Sequence, residues 1–370
     1  MGLEVIITSN NICYYLIDRG LVDPASVVEG DFMVVETTRR NRNFKVIRRN
    51  HPSFFVKQIQ NWDPQTVATL QCEATCYWLA HSNPEMGALA ALMPNYYFYD
   101  PGRHVLITQL LKDGENISEY HRRLNQFPES IAAQLGRALG TYHSETLSKL
   151  GDGPGNSVFS KRVPWILSIN QQEAHLFQAL SAANSQLFSI VRSYPEFNET
   201  LDELRDKWRF DSLIHGDMKW DNLVVSVAEE NGKGESVKIV DWELADIGDA
   251  RWDVGAILQS YLSFWILSIP PNAEANAEQL ERLAQYPLEP MQPAIRAFWK
   301  TYIATRQIGN EEGRQLLESC VKFGAARMIQ TAYEYMQYSP QISASALYLL
   351  QVSLNTLKSP KEAISDLLSL

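Results

Sequence analysis

Residues 213–222 read LIHGDMKWDN: an apolar pair, then His215, Asp217, Lys219, Asp221 and Asn222 within eight positions. So many polar groups on one short stretch mean either a solvated turn or a loop that handles charge. The flanks decide between the two. SLIHGD (212–217) and NLVVSV (222–227) are strand-like on either side, so the polar groups lie on a connection between apolar segments. EENGKGES (229–236) is a polar hairpin turn, and VKIVDWE (237–243) is a strand that runs straight into acids. Asp217 and Asn222 share the first loop. Asp241, at the end of the following strand, is placed to face it. Such an oxygen-rich set suits Mg²⁺, a hard cation that takes few protein ligands beside phosphate oxygens. A carboxylate beside it can accept a proton from a hydroxyl.

Toward the N-terminus the pattern is strand-rich. NNICYYLIDRG (10–20) is a short helix closed by Gly20. DFMVVETT (31–38), FKVIRR (44–49) and HPSFFVKQI (51–59) are strands, the first two joined by the polar turn RRNRN (39–43). DPQTVATLQCEATCYWLAH (63–81) is a helix with its start signal at Asp63–Pro64. HVLITQLL (104–111) is a further strand behind the turn DPGR (100–103). The first 111 residues therefore spell strand, strand, strand, helix, strand. From residue 112 the character changes. ESIAAQLGRALGTYHSETL (129–147) is an amphipathic helix, GDGPGNS (151–157) a loop, and 165–209 mostly helical with a break at Tyr194–Pro195. Residues 253–370 are helical, with loops at 269–277 and 337–342.

Composition narrows the function classes. The chain has 370 residues, is 45% hydrophobic and 21% charged, and carries a net charge of -10, which fits a globular protein with a real core. The acid excess argues against a general nucleic-acid binder and is kinder to cationic small molecules. Cys13, Cys72, Cys76 and Cys320 find no His or Cys at zinc-type spacing, so they read as thiols in a reducing compartment. MGLEVIITSNNIC lacks the basic start and apolar core of a signal peptide, and Ile6 stands where a myristoylation signal wants Ser or Thr. VGAILQSYLSFWILSI (254–269) is too short, and too interrupted by Gln259 and serines, to span a bilayer; it reads as a buried helix. The expectation is a cytoplasmic protein with no nucleic-acid and no membrane partner.

In kinase-type phosphoryl transfer the catalytic loop reads His-x-Asp with an Asn five residues on, and a later Asp grips the metal. His215, Asp217 and Asn222 keep that spacing, and Asp241 takes the later place. HGDMKWDN and IVDWELADIGDARWDVG resemble the signature loops of the aminoglycoside phosphotransferase and choline kinase family. The resemblance implies an α+β, protein-kinase-like bilobal fold. A small sheet-rich N-lobe (1–111) would bind nucleotide, and a larger, mostly helical C-lobe (112–370) would hold the catalytic and acceptor sites. It implies ATP and Mg as cofactors, Asp217 as catalytic base, and Asn222 and Asp241 as metal ligands. Asp253, in ARWDVG, would brace the catalytic loop, with His215 structural, and LGRALGTYH (135–143) resembles the helix placed before that loop. Lys57, in FFVKQ, is the candidate for the ATP phosphates, Glu73 its paired acid, and Gln109 to Leu111 the stretch against which adenine would lie.

Two features depart from the family pattern. The turn TTRRNRN (37–43) has no glycine. Backbone N–H groups cradle phosphate without one, and Arg39, Arg40 and Arg42 add charge; the alternative is a solvated basic turn. Lys219 follows Asp217 by two positions, where many small-molecule members carry another residue; a lysine there neutralises charge on a transferring phosphoryl group. For the acceptor, Trp165, Trp208, Trp252, Trp265 and Trp299 with Glu173, Glu243 and Asp246 suit an amine through ion pairing and cation–π contact, although aromatics of a helical lobe also serve as core. The expected function is an ATP- and Mg-dependent phosphotransferase acting on a hydroxyl of a small molecule, a cationic alcohol first. A second reading is a kinase-like enzyme that phosphorylates Ser or Thr of a precursor peptide. A third, from another class, is a nucleotide-binding pseudokinase scaffold.

Overall fold

The computed structural model describes residues 6–37, 40–150, 158–171, 180–227, 234–270 and 282–370. The loop expected at 151–157, Arg39, Glu173, residues 229–233 of the polar turn and most of the loop at 269–277 lie outside the described residues. The chain forms two units: Met1–Glu115, Lys149–Phe159 and Val224–Ala245 in the first, Asn116–Ser148, Ser160–Leu223 and Asp246–Leu370 in the second.

The first unit is built on a five-stranded antiparallel sheet of order β1-β2-β3-β5-β4. Its strands are β1 (Met33–Glu36), β2 (Asn41–Ile47), β3 (Phe54–Ile59), β4 (Tyr96–Asp100) and β5 (Val105–Gln109). Helix α1 (Ile12–Asp18) precedes the sheet, and Gly20 behind it takes φ +68°, the left-handed conformation glycine adopts without strain. Helix α2 (Pro64–Ser82) starts where its signal stands: the Asp63 carboxylate accepts the N–H groups of Gln65 and Thr66. Alternation along β3 sorts its side chains. Phe54 and Val56 join Phe44, Val46, Val105 and Ile107 in a core with Ile12, Tyr15 and Leu16 of α1. Lys57, next along the strand and in the opposite phase, faces the other side, toward Glu73 of α2. Strand β4, absent from the expected order, is YYFYD with a bulge between Tyr96 and Phe98. This unit also holds residues 224–245, where the Cys72 thiol of α2 donates to the Ala245 carbonyl at 3.2 Å.

The second unit is helical: α3 (Ile117–Leu124), α4 (Glu129–Leu150), α5 (Ala182–Ser193), α6 (Pro195–Asp206), α7 (Ala250–Leu267), α8 (Gln292–Thr305), α9 (Asn310–Tyr335) and α10 (Ala344–Lys358). The expected break falls between α5 and α6, with Pro195 at the first helical position. In α7 every residue from Ala250 to Ile266 is buried, as its composition foretold. It packs along α9 at van der Waals limits: a Cβ on Gly324 would lie 2.7 Å from the Gly255 carbonyl oxygen, so only glycine lets the two backbones approach this closely. A short antiparallel pair, Ser212–Ile214 with Asp246–Gly248, leads into the loop of residues 215–222. Trp208, Trp252, Trp265 and Trp299 are core, and Trp165 is half-exposed against the Tyr333 ring. The four cysteines are free thiols. Among the described residues no helix is long and apolar enough to cross a membrane.

Candidate active site

The first unit gathers charge around Lys57. β3 is flanked by β2 and β5, so Lys57 is buried, and an ammonium out of water needs partners. Nζ donates to Glu73 Oε2 at 2.7 Å, to Asp241 Oδ1 at 2.7 Å and to Glu243 Oε2 at 3.3 Å. Burial alone would depress the ammonium; Glu73, Asp241 and Glu243 outweigh it and hold it well above its ordinary value. Glu73 moves up to about 7, chiefly through burial, with Lys57 pulling the other way and Asp241 and Glu243 repelling. Three carboxylates against one ammonium leave surplus negative charge, of which Arg40 meets part by donating to Glu243 at 3.0 Å. Asp241 holds φ +64°, in the left-handed region.

This donor set fits a divalent cation. Oxygens of Glu73, Asp241 and Glu243 lie within 4.8 Å of one another, all are hard ligands, and their surplus charge is of the sign a cation neutralises. Sequence reading had assigned Glu243 to the acceptor; the structure sets it on Lys57. The signal was its place two residues after Asp241, on the same turn. Gln109 ends β5, its N–H donating to the Asn95 carbonyl and its side-chain oxygen accepting from the Asn95 N–H. The Leu110 N–H donates to Ser53, and the Leu111 carbonyl accepts from Gly114.

The second unit holds the loop of Asp217, Lys219 and Asn222. Its backbone is braced from α7. Asp253 Oδ2 accepts the His215 N–H at 2.7 Å, and Oδ1 accepts the Gly216 N–H at 3.1 Å. The Tyr142 hydroxyl of α4 also donates to Asp253 at 2.7 Å. Burial would raise the Asp253 carboxyl, but His143, His215 and Tyr142 hold it below its ordinary value. Trp252 Nε1 donates to the Gly216 carbonyl at 3.0 Å, and Gly216 itself takes φ +80°. His215 is fully buried, and its Nδ1 accepts the Asp217 N–H at 3.3 Å. The bracing expected of Asp253, and the structural place of His215, thus have explicit hydrogen bonds.

Both oxygens of Asp217 are engaged. Oδ1 accepts from Arg327 Nη2 at 3.1 Å, and Oδ2 from Lys219 Nζ at 2.7 Å. Asn222 Nδ2 donates to the Asp217 carbonyl at 2.9 Å and to Oδ2 at 3.2 Å, so a cation would be met by its amide oxygen. Burial pushes the Asp217 carboxyl up; Arg327 and Lys219 overcome it and hold the group below the usual carboxylate value. Arg327 was not found from sequence. Its signal is a lone arginine in the apolar run GAARMIQTA (324–332).

Lys219 and Arg327 open onto a cavity of about 380 Å³ whose wall includes Trp220, Phe264, Tyr286 and Glu334. None of the five tryptophans expected at an acceptor site lines it. Asp246, expected there too, instead ties the chain down by accepting the N–H groups of Lys161 and Arg162 at 2.8 and 3.0 Å.

The sheet-and-helix unit with its Lys–Glu pair and the helical unit with its His-x-Asp loop define a kinase-like fold. Solved structures agree. A choline kinase from Cryptosporidium parvum is 15% identical over 97% of this chain and 99% of its own, with a TM-score of 0.59. A glucosamine kinase in complex with glucosamine, ADP and inorganic phosphate is 13% identical over 96% and 87%, with a TM-score of 0.56. The amicoumacin kinase hAmiN in complex with AMP-PNP and Ca²⁺ is 11% identical over 93% and 96%, with a TM-score of 0.52. No curated protein matches the chain. The model of the phosphotransferase enzyme family (APH) matches residues 36–298, and the chain belongs to that family. It is a phosphotransferase, in a family that uses ATP and a divalent metal in general.

Proposed function

We propose that the protein transfers the γ-phosphoryl group of ATP to a hydroxyl of a small molecule bound in the cavity beside Lys219 and Arg327. The observation that carries this reading is the Asp217 carboxylate: buried, held ionised, and on a loop whose backbone Asp253 braces. Asp217 orients the acceptor hydroxyl and takes its proton. Lys57 binds the α- and β-phosphates, with Glu73 keeping its side chain in place. Lys219 meets charge on the transferring group. Asn222 and Asp241 hold Mg²⁺, an assignment supported by the order and spacing of their loops and by the family. The metal, when bound, neutralises phosphate oxygens during transfer. Adenine recognition falls to the backbone of Leu111, because the N–H groups of Gln109 and Leu110 are taken up in the sheet. Most of the catalysis comes from positioning and charge rather than covalent chemistry.

The acceptor is a hydroxylated small molecule. Glu334 and Asp221 in the cavity wall offer an ammonium partners, but Arg122 already lies 5.3 Å from the Phe264 ring centroid, so a cationic acceptor competes with a resident cation for that face. The test is ADP release from Mg-ATP by the full chain, first with water alone, then with amino alcohols, amino sugars, hydroxy acids and Ser/Thr peptides. Release should require Mg²⁺ and rise with one class. Asp217→Asn should lower it about 100-fold or more while the Mg-ATP-induced rise in melting temperature persists. Undiminished turnover in that variant removes Asp217 as base.

A further inference from the structure

Arg327 has no part in the reaction as described so far, yet it is among the most buried side chains of the chain, 1% exposed. Nη2 meets Asp217 Oδ1, the guanidinium carbon lies 5.6 Å from the Trp252 ring centroid, and Nε and Nη1 are buried with no hydrogen-bond partner among the described residues. Burying a cation against one carboxylate, with two donors left over, gives little net stability. A side chain needed only for packing would be better apolar. Its location is also tightly set. Gly324 lies one helical turn before it on α9, against Gly255 of α7, and Gly255 lies two residues beyond Asp253. One helix contact therefore sets the height of two groups: Asp253, which holds the backbone of the catalytic loop, and Arg327, which holds its carboxylate.

The two oxygens of Asp217 are held differently. Oδ1 is pinned by a buried, planar group on a packed helix. Oδ2 is met by Asn222 and by Lys219, whose side chain is 36% exposed and stands at the cavity. We propose that Arg327 is a positioning residue for phosphoryl transfer: by binding Oδ1 it holds the Asp217 carboxylate in one orientation, with Oδ2 presented to the acceptor hydroxyl. The inference rests on Asp217 being the base. In the step it serves, the acceptor oxygen bonds to the γ-phosphorus and its proton passes to Oδ2. The bond from γ-phosphorus to the bridging oxygen breaks, and its electron pair leaves with ADP. Lys219 can leave Oδ2 for the incoming phosphoryl oxygens because its stem is long and partly in solvent. Arg327 cannot leave Oδ1 without dismantling its seat on α9.

The experiment measures ADP release by the full chain with Mg-ATP, water serving as acceptor, for wild type, Arg327→Ala, Arg327→Lys, Asp217→Asn and the Arg327→Ala/Asp217→Asn double variant. Arg327→Ala should lower kcat 10- to 100-fold with KM for Mg-ATP within twofold of wild type. Millimolar guanidinium should restore a substantial part of it, and Arg327→Lys should retain part. In the Asp217→Asn background Arg327→Ala should cost nothing further, because a residue that acts through Asp217 has nothing left to position. The inference is overturned if Arg327→Ala turns over like wild type, or if it lowers turnover by the same factor with and without the Asp217 carboxylate. Should Arg327→Ala not fold, Arg327→Lys and Arg327→Gln carry the same cycle. Where wild type releases ADP only with one of the acceptor classes named above, the cycle is run with that acceptor in place of water. Wild-type turnover in Asp217→Asn, or no ADP release from wild type with water or with any of those classes, would instead remove the phosphotransfer reading on which the inference stands.

Discussion

Asp241 is held in a conformation that side chains avoid. A non-glycine residue in the left-handed region costs roughly 1–2 kcal/mol, less for Asp than for most, and Asp241 adds a third carboxylate to a cluster with one buried ammonium. Both penalties vanish in Asp241→Gly. That variant should melt at or above the wild-type temperature in thermal denaturation while ADP release from Mg-ATP is lost. A clear fall in melting temperature would mean that the Asp241–Lys57 pair outweighs the strain and the repulsion. Single residues were legible where motif spacing or the family resemblance marks them: Asp217 and Asn222, set by spacing, share one loop and a hydrogen bond, and Lys57 and Glu73, paired by the resemblance, meet at 2.7 Å. Glu243 and Arg327 were not, because their roles come from the partner each meets across the tertiary structure. Arg327 lies 110 residues from Asp217 in the chain.

At the level of elements, the contact between α7 and α9 supports the site most directly. Gly255 and Gly324 pack backbone to backbone, and Asp253 and Arg327 project from either side of that contact. Gly324→Ala must push the helices apart by several tenths of an ångström. Overpacking of this kind costs about 1–3 kcal/mol, and it also shifts Arg327 relative to Asp217. The variant should unfold at lower denaturant concentration, and its ADP release should fall by more than its loss of folded protein explains. Unchanged turnover per folded molecule would show that the loop tolerates the displacement. Elements were read well from sequence where apolar and polar residues contrast. β2, β3, β5, α2 and α4 carry periodic patterns or clear start signals, and the break between α5 and α6 was marked by Pro195. β4 was missed because YYFY has no apolar–polar alternation to read, and its residues Tyr96 to Tyr99 are all partly buried alike.

For the whole molecule, the order of two short motifs sufficed to indicate the fold, since the family's elements follow in the same sequence along the chain. The cavity proposed for the acceptor was beyond reach of that reasoning. Its wall draws on residues as far apart as Ser118 and Tyr335, and of the tryptophans that looked available four are core while Trp165 packs against Tyr333. The carboxylate of Asp253 has a consequence at this scale as well. It is wholly buried and joins α4, α7 and the backbone of the loop that carries Asp217. If the loop loosened alone, a desolvated charge would lose two of its donors inside the core, at a cost of several kcal/mol. Local opening is therefore closed off, and the loop melts only when the helical unit melts. On slow heating, ADP release and the far-ultraviolet helical signal should disappear in one coincident transition. An enzyme that lost activity degrees earlier, with its helices intact, would show that the loop has a stability of its own.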